Sequence, residues 1–307
     1  MGTNVAVIDE IKGAAAEVGV EVWLHARPVD GGPELGIGAN EPVVTASVFK
    51  VPIALELARQ ASLGVIDLAE QIRVQPGEGP PSPYGLATFR HPSILSLDTL
   101  ATLMIAVSDN VATDLVLAKV SRQAVNDTLI DLGLHATAVS ANCDELLQTI
   151  GEDLGSEYAA YERWSELSPR QLDGLRALDP MQSCRSTPVE TTRLLSMIWR
   201  DEAAQPAACA DVRRWLGLQV WPHRLRSGFS SDGVSVSGKT GTLPGIRNEV
   251  GVVEFEDARR YAVAVFTRAV DARQQVPARD AFIGFAGAKA VEWLRSPESI
   301  ASTQDRT

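Results

Sequence analysis

Thr45-Ala46-Ser47-Val48-Phe49-Lys50 runs directly into Val51-Pro52-Ile53-Ala54-Leu55-Glu56-Leu57-Ala58, an apolar, helix-forming segment. Residues three apart on a helix share a face, so the Ser47 hydroxyl and the Lys50 amine can meet. A serine becomes a nucleophile when a neighbouring base takes its proton. An amine serves as that base once burial or a second cation lowers its pKa. The start of a helix adds unpaired backbone N–H groups, where a developing oxyanion is stabilised. The stretch therefore holds the parts for acyl transfer. The same residues also fit an N-capping serine beside a solvated lysine, and Ser-x-x-Lys arises about once by chance in a chain of this length. Lysine usage bears on the choice: of 28 Lys+Arg residues, only Lys12, Lys50, Lys119, Lys239 and Lys289 are lysines. Arginine is the ordinary cation of this chain and cannot give up its proton, whereas a buried lysine can titrate.

Outward from this stretch the pattern alternates between two kinds of element. Val5, Ile8, Ile11, Ala15 and Val18 recur near the helical period, predicting an amphipathic helix. Val20 to Ala26, ending at Pro28, reads as a strand, with Leu35 to Ile37 returning after an Asp30-Gly31-Gly32-Pro33 turn. The Ser47 helix ends near Gly64. Residues 75–92, broken by Pro76, Gly77, Pro80, Pro81, Pro83, Gly85 and Pro92, form a loop, either at the rim of a site or as a plain connector. Ser96-Leu97-Asp98 caps a helix that breaks at Ser108-Asp109-Asn110, and helices follow over Ala112 to Val120 and Val125 to Leu132. Asn142 to Ser186 reads as helical turns with breaks; Thr187-Pro188 then starts a helix as N-cap and first residue. Val234 to Ser237, Glu249 to Phe255 and Tyr261 to Phe266 read as three antiparallel strands. Ala278 to Leu294 is a closing helix, and the polar tail after Ser296 reads as mobile.

Strands lie near both ends and helices fill the middle. This predicts an α+β fold: an antiparallel sheet domain from residues 1–43 and 215–307, flanked by the terminal helices, with a helical domain over 44–214 inserted. Sites commonly form between such lobes.

The 307 residues carry a net charge of −11, with a pI near 4.9, which argues against nucleic acid or an anionic membrane as partner. No apolar run is long enough to span a bilayer, and Met1 to Val5 shows no basic region leading into an apolar one. The expectation is a cytoplasmic protein, or a chain trimmed at its start. Cys143, Cys184 and Cys209 lie far apart, as do His25, His91, His135 and His223, so neither metal-ligand spacing nor a disulfide framework is present. No metal or organic cofactor is expected, and nothing indicates the oligomeric state.

Two further triplets join Ser47-x-x-Lys50: Ser108-Asp109-Asn110 at a break between helices, and Lys239-Thr240-Gly241 after the Val234–Ser237 strand. Each has a chance expectation of roughly one per ten to twenty chains. Together and in this order they resemble the motif set of the serine β-lactamases and penicillin-binding proteins, most closely the class A β-lactamases. The resemblance extends to Ser186-Thr187-Pro188 and to Asn248-Glu249-Val250-Gly251-Val252. It implies Ser47 as the acylated nucleophile and Lys50 as its base or a member of the proton relay. Ser108 would pass a proton to the leaving group, and Asn110 would bind a substrate amide carbonyl. It implies that Lys239 holds the site positive and that Thr240, within Thr240-Gly241-Thr242, binds a substrate carboxylate. The backbone N–H groups of Ser47 and Thr242 would form the oxyanion hole. Arg247, Arg224 and Arg226 are either helpers in carboxylate binding or ordinary surface ions.

One departure stands out. Class A enzymes carry a glutamate, followed four residues later by asparagine, that hold the water clearing the acyl-enzyme. Here Arg163-Trp164-Ser165-Glu166 resembles the start of that segment with the glutamate displaced by one, and the fourth residue on is Arg170. Glu162, Glu166 and Asp173 are the candidate bases. The resemblance thus implies a serine hydrolase acting on an anionic small molecule, a β-lactam or a related amide or ester. The alternatives are a D-alanyl-D-alanine-type peptidase, esterase or acyltransferase of the same fold, and a penicillin-binding sensor that acylates without turnover.

Overall fold

The computed structural model describes residues 3–156, 161–297 and 299; most of the tail after Ser296 lies outside them. The chain opens with α1 (Thr3–Glu17), β1 (Val20–Pro28), β2 (Leu35–Ile37) and the short β3 (Val43–Val44). A 3-10 turn over Ala46–Phe49 leads into α2 (Lys50–Ser62). Next come β4 (Gln71–Val74) and β5 (Ser93–Ser96), α3 (Leu97–Ala106), α4 (Asn110–Val120), α5 (Arg122–Asp131), α6 (Cys143–Leu154) and α7 (Pro169–Asp173). Then follow β6 (Arg185–Ser186), α8 (Pro188–Trp199), α9 (Pro206–Gly217), β7 (Val234–Leu243), β8 (Ile246–Phe255), β9 (Arg260–Ala269) and α10 (Pro277–Arg295).

The five-stranded sheet has the order β2-β1-β9-β8-β7 and is antiparallel throughout. Alternate residues of a strand face opposite sides. On β9, Val263 and Val265 pack with Ile11, Ala15, Ile283 and Ala286 of the terminal helices. Ala262, Ala264 and Phe266 join the core of the middle helices instead. Both faces are covered, which is why these strands read as nearly unbroken apolar runs. α2 is the centre of the helical core: every residue from Lys50 to Ala58 is buried. A helix apolar all round belongs inside, and its one acid, Glu56, is satisfied by Arg59, Gln60 and Thr128.

Cap chemistry fixes the helix starts around the site. Ser96 accepts from the Thr99 amide at 3.1 Å, Asp109 from the Ala112 amide at 2.9 Å, and Thr187 from the Glu190 amide at 3.2 Å.

Three expectations need correction or extension. Lys239-Thr240-Gly241 lies inside β7 and not after it: the strand runs on to Leu243 because β8 supplies partners as far as Ile246. The loop over 75–92 is flanked by a β4–β5 pairing that the sequence reading missed, since its residues are mostly exposed or half-buried. α9 was also unread, although Pro206 opens it and Cys209, Val212, Trp215 and Leu216 are its buried face. No described helix is long and apolar enough to cross a membrane.

Candidate active site

The turn that carries Ser47 is clamped from three sides. Thr45 donates to the Cys184 carbonyl through its amide (3.0 Å) and its hydroxyl (2.9 Å). Asn248 Nδ2 on β8 donates to the carbonyls of Val44 (2.9 Å) and Thr45 (3.2 Å). From the front, Gly241 presses against the turn: a Cβ there would stand 2.6 Å from the Thr45 oxygen and 3.3 Å from the Ser47 nitrogen. The clamp holds Ala46 at φ 45°, and the other motif residue at the site, Ser108, sits at φ 63°. Such left-handed conformations in non-glycine residues cost about 1–3 kcal/mol each and persist where the surroundings over-determine them. We expect Gly241→Ala to push β7 off the turn. Calorimetry should show a melting-temperature loss of about 2–5 °C. An unchanged melting temperature would mean that strand and turn are not in contact.

The three sequence motifs converge on one cavity of about 220 Å³, lined by Ser47, Ser108, Asn110, Thr240 and Thr242. Lys50 lies behind this lining with no exposure. Its Nζ donates to the Ser108 carbonyl (2.7 Å), to Ser108 Oγ (3.2 Å) and to Asn110 Oδ1 (2.8 Å). Burial pulls the Lys50 pKa down, against the attraction of Asp109 and Asp114. Lys239 is equally buried and donates to the Thr240 carbonyl at 2.8 Å. Its pKa is pushed well down by burial first and by the Lys50 and Arg224 charges next. Repulsion between the two amines is mutual, so whichever is protonated depresses the other. Beneath β7, burial raises the Glu249 carboxyl to about 7, and it accepts from the Leu225 amide and from Gln219.

Arg224 and Arg247, which the sequence left open as surface ions, are both buried and both line the cavity. Arg224 donates to Asp280 Oδ1 (2.6 Å), to the carbonyls of Gly241 (2.9 Å) and Asn248 (3.0 Å), and to Thr242 Oγ1 (2.9 Å). Arg247 donates to the Ile246 carbonyl and to Gln274, and burial lowers it to about 10. Arg226 is exposed and donates to the Val234 carbonyl.

The three candidate bases lie outside the cavity lining. Glu166 is half-exposed and paired with Arg163 at 2.7 Å, Asp173 is exposed beside Arg268, and Glu162 is exposed. Among the described residues the carboxylate that does line the cavity is Asp280, engaged by Arg224. The lining also holds Tyr84, Tyr161 and Trp221, which sequence reasoning missed. Only Tyr84 had a signal, its place in the Pro/Gly loop assigned to a possible rim. Among the described residues no three His, Cys, Asp or Glu side chains group as a metal cage requires.

A family model described as the beta-lactamase enzyme family matches residues 6–294. The beta-lactamase regulatory protein BlaB of Streptomyces cacaoi is 32% identical over 288 residues, which span 89% of this chain and 91% of that one. The structure of a beta-lactamase from Sphaerobacter thermophilus superposes with a TM-score of 0.74 at 23% identity, covering 93% of this chain and 95% of that one. PBP-A also gives a TM-score of 0.74, at 18% identity over 94% of this chain and 96% of its own. These two similarities establish a shared fold.

Proposed function

Because the chain belongs to the beta-lactamase enzyme family, we propose that Ser47 is acylated by a β-lactam, or by a related amide or ester, and that the acyl-enzyme hydrolyses slowly. One observation carries the acylation: the buried amine of Lys50 stands 3.2 Å from Ser108 Oγ, behind a cavity that Ser47 and Ser108 both line. Lys50 in its neutral form takes the Ser47 proton as Oγ attacks the carbonyl carbon. The N–H groups of Ser47 and Thr242 receive the oxyanion. Ser108 hands a proton to the departing nitrogen or oxygen and takes one back from the Lys50 ammonium 3.2 Å away, which returns Lys50 to its neutral form. Thr240, Thr242 and Arg224 receive the substrate carboxylate.

Slow hydrolysis is supported by the carboxylates: among the described residues lining the cavity Asp280 is the only carboxylate, and its charge is committed to Arg224. The description of the Streptomyces relative as a beta-lactamase regulatory protein favours the same reading. Rapid β-lactam hydrolysis is the second reading, favoured by the family's own description. Intact-protein mass spectrometry after mixing with benzylpenicillin separates the two. We expect a one-to-one adduct that persists for minutes or longer after excess drug is removed. Clearance within seconds, or consumption of the drug without an adduct, would establish the hydrolase, and neither adduct nor drug consumption at any concentration would overturn both.

A further inference from the structure

Tyr161 opens the 3-10 turn Tyr161–Glu166, and its ring packs on Trp164 with centroids 4.3 Å apart. Trp164 is completely buried, so the phenol ring has a firm seat. The Tyr161 hydroxyl oxygen accepts from Asn110 Nδ2 at 2.9 Å, while Asn110 Oδ1 accepts from Lys50 Nζ at 2.8 Å. One hydrogen-bonded line therefore runs from the buried amine, through both ends of the Asn110 carboxamide, to the phenol. An oxygen that accepts in this way still has its own proton to give. Burial raises the Tyr161 pKa, so that proton is retained throughout the physiological range.

Tyr161 lines the same cavity as Ser47 and Ser108. The anion-binding groups Thr240, Thr242 and Arg224 come from β7 and the segment before it, whereas Asn110 and Tyr161 come from α4 and the 161–166 turn. A ligand bonded to Ser47 whose carboxylate is held by Thr240, Thr242 and Arg224 would leave Asn110 and Tyr161, in the same lining, to meet a substituent at its other end. There one Asn110 N–H is already engaged, and the phenol proton is the donor at the end of the line. A neutral donor with a fixed ring matches a carbonyl oxygen.

We propose that Tyr161 is a specificity-determining residue, whose hydroxyl donates to the side-chain amide carbonyl of an acylamido substrate. This rests on the reading that Ser47 is acylated. The test compares second-order acylation rates for benzylpenicillin and for penicillanic acid, which keeps the bicyclic ring and carboxylate but lacks the side-chain amide. Tyr161→Phe preserves the ring and its packing on Trp164. In this variant the benzylpenicillin rate should fall about tenfold, the worth of one hydrogen bond, and the penicillanic acid rate by less than about twofold. Equal slowing of both reagents would reveal a scaffold role and overturn the proposal, as would no slowing of either. If wild-type protein neither forms an adduct with nor consumes either reagent, the Ser47 reading has failed and the specificity role falls with it, a result visible without the variant.

Discussion

Ser47→Ala is expected to take up no benzylpenicillin under conditions that label wild-type protein completely, a loss beyond about 10⁴-fold in rate. The size of the effect follows from the chemistry: no other cavity hydroxyl has the same setting. Ser108 Oγ is held by Lys50, and Thr242 Oγ1 accepts from Arg224. Ser47 alone sits on the clamped turn at the entrance to α2. Alanine fits that turn, so the melting temperature should stay within a degree or two. Intact mass and melting temperature, measured on the same sample, check the expectation. Full labelling of the variant would put the nucleophile elsewhere.

Lys50→Arg should slow labelling by about 10²- to 10⁴-fold, the usual worth of a general base. Arginine keeps a positive charge at the site and cannot release a proton, so the loss reports base chemistry and not electrostatics alone. The pH profile gives a second readout. Burial lowers the Lys50 pKa below 10.5, so the neutral, active amine accumulates at lower pH than in a free lysine. The wild-type labelling rate should climb with pH and level off before 10.5, and the variant should lose that limb. A wild-type rate still climbing at pH 10.5 would mean an unperturbed amine. Stability carries the same sign. Between the lowered folded value and 10.5 the unfolded chain binds more protons at this position, so stability rises with pH across that window.

Local signals account for what could be read beforehand. The break at Ser108-Asp109-Asn110 was legible because Asp109 caps α4 through its own neighbours, and Thr187-Pro188 started α8 by the same logic. β8 and β9 were legible because burial on both faces leaves a run of valines and alanines. β4 and β5 were not, since exposed positions such as Gln71 and Arg73 carry little pattern. Arg224 shows the limit at the site. Nothing in its neighbourhood distinguishes it from Arg226 two residues on, yet one lies under β7 against Asp280 and the other faces solvent.

The sequence by itself determined the chemistry on offer: a lysine scarce among arginines three residues from a serine, two further triplets downstream of it, and strands at both ends of a helical middle. Those facts are local, carried by residue type and spacing, and they hold before any contact forms. Only the tertiary structure decided which groups share one cavity and in what electrical state. Burial of α2 sets the Lys50 amine, the meeting of β7 with the Ser47 turn sets the nucleophile's wall, and the seating of Tyr161 on Trp164 sets the far side. Desolvation and hydrogen bonding between residues distant along the chain depend on packing, and no window of sequence contains them.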